Sequence, residues 1–166
     1  MRVMGGLALL VALAAVGVLA WIRLAPSDPA RWHVDPLAVT TPVAVGHALL
    51  RPEDGDGAAP VYALPPEDLL AAFDRVARAE PRVQVLAGSV ASGMITYVVR
   101  SRLMGFPDYL TVRALPAPGG GATLAIFSRQ RFGLKDMGVN QARVEAWLAA
   151  LAAALPPGTV RPAPGA

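Results

Sequence analysis

The 166-residue sequence contains no cysteine, a single lysine and two histidines. The absence of cysteine excludes disulfides, thiol catalysis and zinc sites of the cysteine type. His33 and His47 lack a third candidate ligand at a short spacing, so we expect no metal. No glycine-rich phosphate loop with a Lys-Ser/Thr signature is present, and we expect no cofactor. The formal charge of +3 comes from scattered arginines rather than a Lys/Arg block, which argues against nucleic-acid binding.

A long run without charge opens the chain, from Val3 to Ile22. About 20 such residues span a bilayer core as a helix, because a helix satisfies its own backbone polar groups. Trp21 and Arg23 then fall at the membrane interface, where such side chains are favoured. Residues 1–23 are therefore predicted to be a single-pass anchor. The alternative is a signal peptide cleaved after Val18-Leu19-Ala20.

Prolines dominate the next segment, residues 24–60, which also carries the polar run Glu53–Gly57. Proline removes a backbone donor and pushes its predecessor toward extended geometry, so we expect no helix here. The segment is predicted to be a linker or a strap laid over the domain. Apolar positions for docking are Trp32, Val34, Leu37 and Val39.

Residues 61–155 carry the pattern of an α+β domain. A helix is predicted between Pro66 and Pro81, and a second amphipathic helix from Val139 to Leu155. Strands are predicted at 83–86, 95–102, 109–115 and 123–131. The expected fold is an antiparallel sheet of about four strands packed against two helices, with a disordered tail at 156–166.

Polar residues are concentrated between the last predicted strand and the last helix, in the sequence FSRQRFGLKDMGVNQAR. One interpretation is structural: Asp136, Gly138 and Asn140 form a turn and cap the helix. The other is an anion site, since free N–H groups at a helix start favour anions. The candidate ligand-binding residues are Ser128, Arg131, Lys135, Asp136, Asn140 and Arg143, together with Asp108 from the preceding strand.

Strand alternation also predicts an arginine-rich sheet face. It sends Ser128 to one face and Arg129 and Arg131 to the other. The other strands contribute Arg100, Arg102 and Arg113, so several guanidinium groups could line one side. Such a face is either an anion site or a solvated surface shielded by arginine stems.

The pattern from Ser128 to Arg143, read with Arg100–Asp108, resembles the bacterial family known as domain of unknown function 1499. The resemblance implies a small bacterial protein, often with an N-terminal membrane segment and without an assigned activity. The chain departs from the family pattern where acidic residues and an arginine are usual, at Tyr109, Thr111 and Phe127. We hypothesise that an aromatic and β-branched pair replaces a cross-strand ion pair. The family's cysteine-containing N-terminal motif is also missing.

These observations favour a binding or envelope interaction module over an enzyme. We expect a single-pass protein of the bacterial inner membrane with its domain in the periplasm, since the N-terminal tail is very short. Its expected partners are the membrane and an anionic small molecule, a lipid headgroup or a protein. The alternatives are a hydrolase using Asp108 and Asp136 with a serine or histidine, and an accessory subunit of a membrane complex. His33 and Asp35 form a further possible base and orienting pair.

Overall fold

The structure, a computed structural model, describes residues 2–41, 46–133 and 136–163, with side chains from residue 6 onward. Helix α1 (Arg2–Leu24) comes first, and its segment Gly6–Leu24 is long and apolar enough to cross a membrane. A signal sequence would meet the same test. Nearly all side chains of this segment are exposed, because it projects away from the rest of the chain.

Two short helical turns follow in the proline-rich segment, which corrects the expectation that it holds no helix. They are α2 (Pro29–Trp32) and a 3-10 helix (Pro36–Ala38). Each begins with proline, whose missing N–H costs nothing at a first helical position. In each, the preceding aspartate, Asp28 or Asp35, accepts a hydrogen bond from a backbone N–H two residues later.

The described residues form one antiparallel sheet of seven strands rather than about four. The strands are β1 (His47–Leu50), β2 (Val61–Tyr62), β3 (Val83–Ser89), β4 (Met94–Arg100), β5 (Pro107–Pro116), β6 (Ala122–Gln130) and β7 (Val160–Arg161). Their spatial order is β3-β4-β5-β6-β2-β7, and β1 also pairs with β6. The four predicted strands correspond to β3–β6. The other three have only two to four residues, too few for a visible alternation.

Helices α3 (Pro66–Ala79) and α4 (Val139–Ala154) pack on one face of this sheet, so the α+β class is confirmed. Phe73 of α3, Tyr97 of β4 and Trp147 of α4 meet in edge contacts with ring centroids 5.8–6.4 Å apart. Aromatic rings prefer such tilted arrangements, which add to the free energy of burial. This aromatic cluster is part of the hydrophobic core.

The segment 25–39 packs as a strap on the opposite face. Trp32 is buried and stacks on Tyr109 of β5, with ring centroids 4.0 Å apart. Arg129 donates from Nη2 to the Trp32 carbonyl oxygen, and Arg51 donates from Nη1 to three strap carbonyls. Arg113 pairs with Asp35 of the strap. The strap therefore covers part of the predicted arginine-rich face: it accepts hydrogen bonds from Arg129 and Arg113, although the Arg113 side chain remains 42% exposed.

Helix α1 joins the domain at one end of the sheet, which we call the proximal end. There β3 begins, β4 runs into the loop 101–106, and β6 leads toward α4. Arg100 donates from Nη1 to the carbonyl oxygens of Arg23 and Gly105, at 3.1 Å each. Trp21 contacts Phe132 edge to face, with ring centroids 5.6 Å apart. The end of α1 therefore lies against the proximal end.

Candidate functional site

A buried polar network links β5, β6 and α4 at the proximal end. Ser128 and Asn140 are fully buried, and Ser128 Oγ donates to Asn140 Oδ1 at 2.6 Å. Arg143 donates from Nη1 to the same Asn140 oxygen at 2.8 Å and from Nη2 to Asp108 Oδ2 at 2.9 Å. Because strand alternation points Asp108 and Ser128 toward α4, these contacts fix the helix on the sheet.

Asp136 organises the start of α4 from outside the helix. Its Oδ1 accepts from the Gly138 N–H at 3.1 Å, and its Oδ2 accepts from the Asn140 N–H at 3.1 Å. It also accepts from Asn140 Nδ2 at 3.0 Å. The capping position is Gly138, with φ of 79°, which only glycine adopts without strain. The three residues thus form the turn and cap of the structural interpretation: Asp136 binds the first-turn N–H groups, Gly138 is the capping position, and Asn140 lies inside α4.

The pKa values of the two carboxylates in the network, Asp108 and Asp136, are shifted in opposite directions. Burial raises the pKa of Asp108, and the ion pair with Arg143 opposes this without cancelling it. At Asp136 slight burial acts upward, but the hydrogen bonds from Asn140 and Gly138 outweigh it and hold the pKa below its usual range. Asp136 is therefore charged at neutral pH, where its charge complements the start of α4.

Five of the predicted site residues thus meet in one network: Asp108, Ser128, Asp136, Asn140 and Arg143. Arg131 does not join them, because it lies on the strap face and donates to Pro26 O and Tyr109 Oη. Lys135 lies outside the described residues. The sheet register pairs Thr111 directly with Phe127. These two positions are therefore cross-strand neighbours, as they must be if this pair replaces a cross-strand ion pair of the family pattern.

The network does not assemble a nucleophile with a base. Ser128 has no exposed surface, and both histidines lie on the strap side of the sheet. His33 Nδ1 is hydrogen-bonded to Thr96 Oγ1 at 2.7 Å, whereas Asp35 pairs with Arg113, so the two do not form a base and orienting pair. Within the described ranges, no group of three His, Asp or Glu side chains could hold a metal.

A groove of about 610 Å³ lies beside the network and was not predicted from the sequence. Its walls are the turn after α3, the loop 101–104 and the first turns of α4, and Arg143 and Trp147 close one side. Its lining includes four arginines and one acid, Glu80. The arginines are Arg82, Arg100, Arg102 and Arg143.

The groove exposes large apolar side chains, and their positions in the sequence could have indicated it. Leu103 is 86% exposed and Met137 is 92% exposed, although both are large and apolar. Leu103 and Met104 lie in a loop next to two arginines, in the sequence Arg100–Met104. Large apolar side chains in such a loop do not pack in a hydrophobic core and indicate an interaction surface. Strand alternation predicts which side chains share a face of the sheet, whereas the groove is formed mainly by loops and turns between the elements.

Two backbone outliers lie on the same groove. Arg82 and Met137 have φ of 80° and 52°, which side chains other than glycine adopt at a cost. They are two of the three such residues in the described part of the chain. Backbone strain of this kind often occurs at ligand-binding and other functional sites.

No curated protein and no solved structure matches this chain. A family model described as protein of unknown function, DUF1499, matches residues 33–151. The match covers the end of the strap, the whole of β1–β6 and α3, and most of α4, and it leaves out α1. The chain therefore belongs to the DUF1499 family.

Proposed function

We propose that this protein is a membrane-anchored binding module that takes an anionic group in the proximal groove. The single observation that carries the proposal is the convergence of arginines on one concave surface. In this account α1 stays in the inner membrane as a single-pass anchor, and the domain works in the bacterial periplasm as an envelope interaction module.

Arg102 is the strongest candidate for ligand contact. It is exposed, lines the groove, and makes no hydrogen bond or ion pair within the described residues. Arg82 is also exposed and uses only Nε, which donates to the Arg100 carbonyl oxygen at 3.3 Å. Both keep terminal nitrogens for a ligand, and the planar guanidinium matches phosphate and carboxylate oxygens in pairs.

The network behind the groove supports binding rather than catalysis. The charge of Arg143 is neutralised by the ion pair with Asp108. Arg143 therefore helps to form the wall of the groove but is not free to pair with a ligand. A hydrolase would need a base near Ser128 or a free carboxylate pair. Asp108 and Asp136 instead accept hydrogen bonds from Arg143 and from the start of α4.

Thermal unfolding of the full-length protein in neutral detergent micelles tests this proposal, with inorganic pyrophosphate as the probe. Pyrophosphate should raise the melting temperature, because a ligand that binds only the folded state stabilises it. At 100 times its Kd the stabilisation would be about 2.7 kcal/mol. Arg102→Gln should lose most of this shift while its melting temperature without ligand stays unchanged.

The matched control is Arg75→Gln, which removes the same charge from the exposed side of α3 outside the groove. It should keep the full pyrophosphate shift. If both variants lose the pyrophosphate-induced rise in melting temperature equally, the effect depends only on the net charge of the protein. If millimolar pyrophosphate does not change the melting temperature of the wild-type protein, the groove is not an anion site.

A further inference from the structure

We propose that the groove binds the headgroup of an anionic phospholipid in the membrane that α1 spans, so that the proximal end lies on the bilayer surface. This inference rests on the proposed function of the groove and names its ligand. Three independent features lead to it: the attachment of α1, the distribution of exposed apolar side chains, and the placement of the arginines.

The attachment of α1 leaves no free linker between membrane and groove. Arg100 lines the groove and donates to the Arg23 carbonyl oxygen at the end of α1. Gly105 packs so closely on Arg23 that an added Cβ would lie 2.6 Å from Arg23 Nε. Once α1 is in a bilayer, these contacts hold the groove wall near its surface, where lipid headgroups are present at a high effective concentration.

Exposed apolar side chains cluster at this same place. Outside α1, the described chain has only five large hydrophobic residues with high exposure. Four of them line the groove, namely Leu103, Met104, Met137 and Val139, and only Leu37 lies elsewhere. Apolar side chains that would be costly in water are favoured at the boundary between headgroups and acyl chains. Trp21, beside Phe132, lies at the level where tryptophan marks this boundary.

Two arginines directly precede two of these apolar residues in the sequence Arg100-Ser101-Arg102-Leu103-Met104. An anionic lipid offers a phosphate to the guanidinium groups and chains to the apolar side chains, so it satisfies both. Each basic residue near an anionic membrane contributes about 1 kcal/mol, or roughly fivefold in binding. A soluble anion would leave Leu103 and Met137 in water, which favours the lipid.

Single-cysteine variants of the full-length protein test the inference, because the native chain has no cysteine to interfere. Leu103→Cys reports on the groove. Ala91→Cys, in the exposed turn between β3 and β4 at the opposite end of the sheet, is the matched control. Each variant carries an environment-sensitive fluorophore and is inserted into nanodiscs of phosphatidylcholine, alone or with about one quarter phosphatidylglycerol.

In the anionic nanodiscs, the label at position 103 should shift to shorter emission wavelengths and lose quenching by aqueous iodide. The label at position 91 should not change. Adding Arg82→Gln and Arg102→Gln to the Leu103→Cys chain should return emission and quenching to the values in neutral nanodiscs. Both arginines are exposed, and among the described residues the double substitution removes only the hydrogen bond from Arg82 Nε to the Arg100 carbonyl oxygen, so the variant should remain folded.

Identical emission and quenching at position 103 in neutral and anionic nanodiscs would overturn the inference. If pyrophosphate still raised the melting temperature in that case, the groove would remain an anion site for a soluble ligand. If pyrophosphate also had no effect, the proposed function would fail with the inference.

Discussion

At the residue scale, Asp108 and Asp136 belong to one network, but their contributions to the stability of the fold depend on pH with opposite signs. The pKa of Asp136 is lowered in the folded protein, so its contribution to stability is present above the unfolded pKa of about 4. That contribution is lost as the pH falls through the folded pKa. The pKa of Asp108 is raised, so its ionisation disfavours the folded state as the pH rises above about 4.

Asp136→Ala should therefore lower the free energy of unfolding at pH 7 by about 0.5–2 kcal/mol, as the loss of a helix cap does. The difference from wild type should shrink as the pH falls below about 4, where the wild-type carboxylate becomes protonated. Thermal unfolding followed by near-ultraviolet circular dichroism across this pH range measures both effects. A difference that stays constant with pH would contradict the assigned role of the charge.

Arg143→Gln should be the most destabilising substitution in the network, by about 3–5 kcal/mol at pH 7, because it leaves Asp108 buried without its partner. Both side chains of this ion pair are nearly buried, with 11% and 12% exposed. The double variant with Asp108→Asn should recover part of this loss, since it removes the stranded charge. Unfolding of the two single variants and the double variant gives the coupling energy. Purely additive effects would show that the two side chains do not interact.

At the element scale, α3, α4 and β3–β6 could be predicted from periodicity because each is long enough to repeat its pattern. The strap could be predicted only as an alternative to a free linker, since its docking depends on single contacts such as Trp32 on Tyr109. The partners Asp108 and Arg143 could not be paired from the sequence, because 35 positions separate them and only the sheet register brings them together. The groove could not be predicted because its walls come from three segments that are distant in sequence: the turn after α3, the loop 101–104 and the start of α4.

Trp147→Ala should lower the free energy of unfolding by about 3–5 kcal/mol, because it removes a large buried ring from the contact between α4 and the sheet. Trp147 is 4% exposed and meets both Phe73 and Tyr97. Trp32→Ala provides the contrast, since it should release the strap to proteolysis while the core keeps its near-ultraviolet circular dichroism. An unchanged melting temperature in Trp147→Ala would show that this face of α4 is not part of the core.

At the scale of the whole molecule, the covered arginine face and the open arginine groove have different roles. The strap accepts hydrogen bonds from Arg113, Arg129 and Arg131 with its own carbonyl and carboxylate oxygens. Arg82 and Arg102 remain available at the proximal end, next to α1. Arginine thus holds the strap on one face of the sheet, and the proposed function assigns the free arginines of the proximal end to an external anion.

Membrane retention tests the anchor. Full-length protein should stay in the membrane pellet after a carbonate wash that releases a peripheral membrane protein from the same cells, because α1 can span the bilayer. Amino-terminal sequencing of the retained protein should begin at or near Met1. Recovery of a soluble mature form beginning near Trp21 would identify α1 as a cleaved signal peptide.

The most direct measurement of the central claim is native mass spectrometry of the full-length protein released from nanodiscs that contain phosphatidylcholine and phosphatidylglycerol. Wild-type protein and Arg75→Gln should retain phosphatidylglycerol in preference to phosphatidylcholine. The double variant with Arg82→Gln and Arg102→Gln should lose that preference, because those side chains are the open cations of the groove. Equal retention of phosphatidylglycerol by the wild-type protein and the double variant would contradict the account.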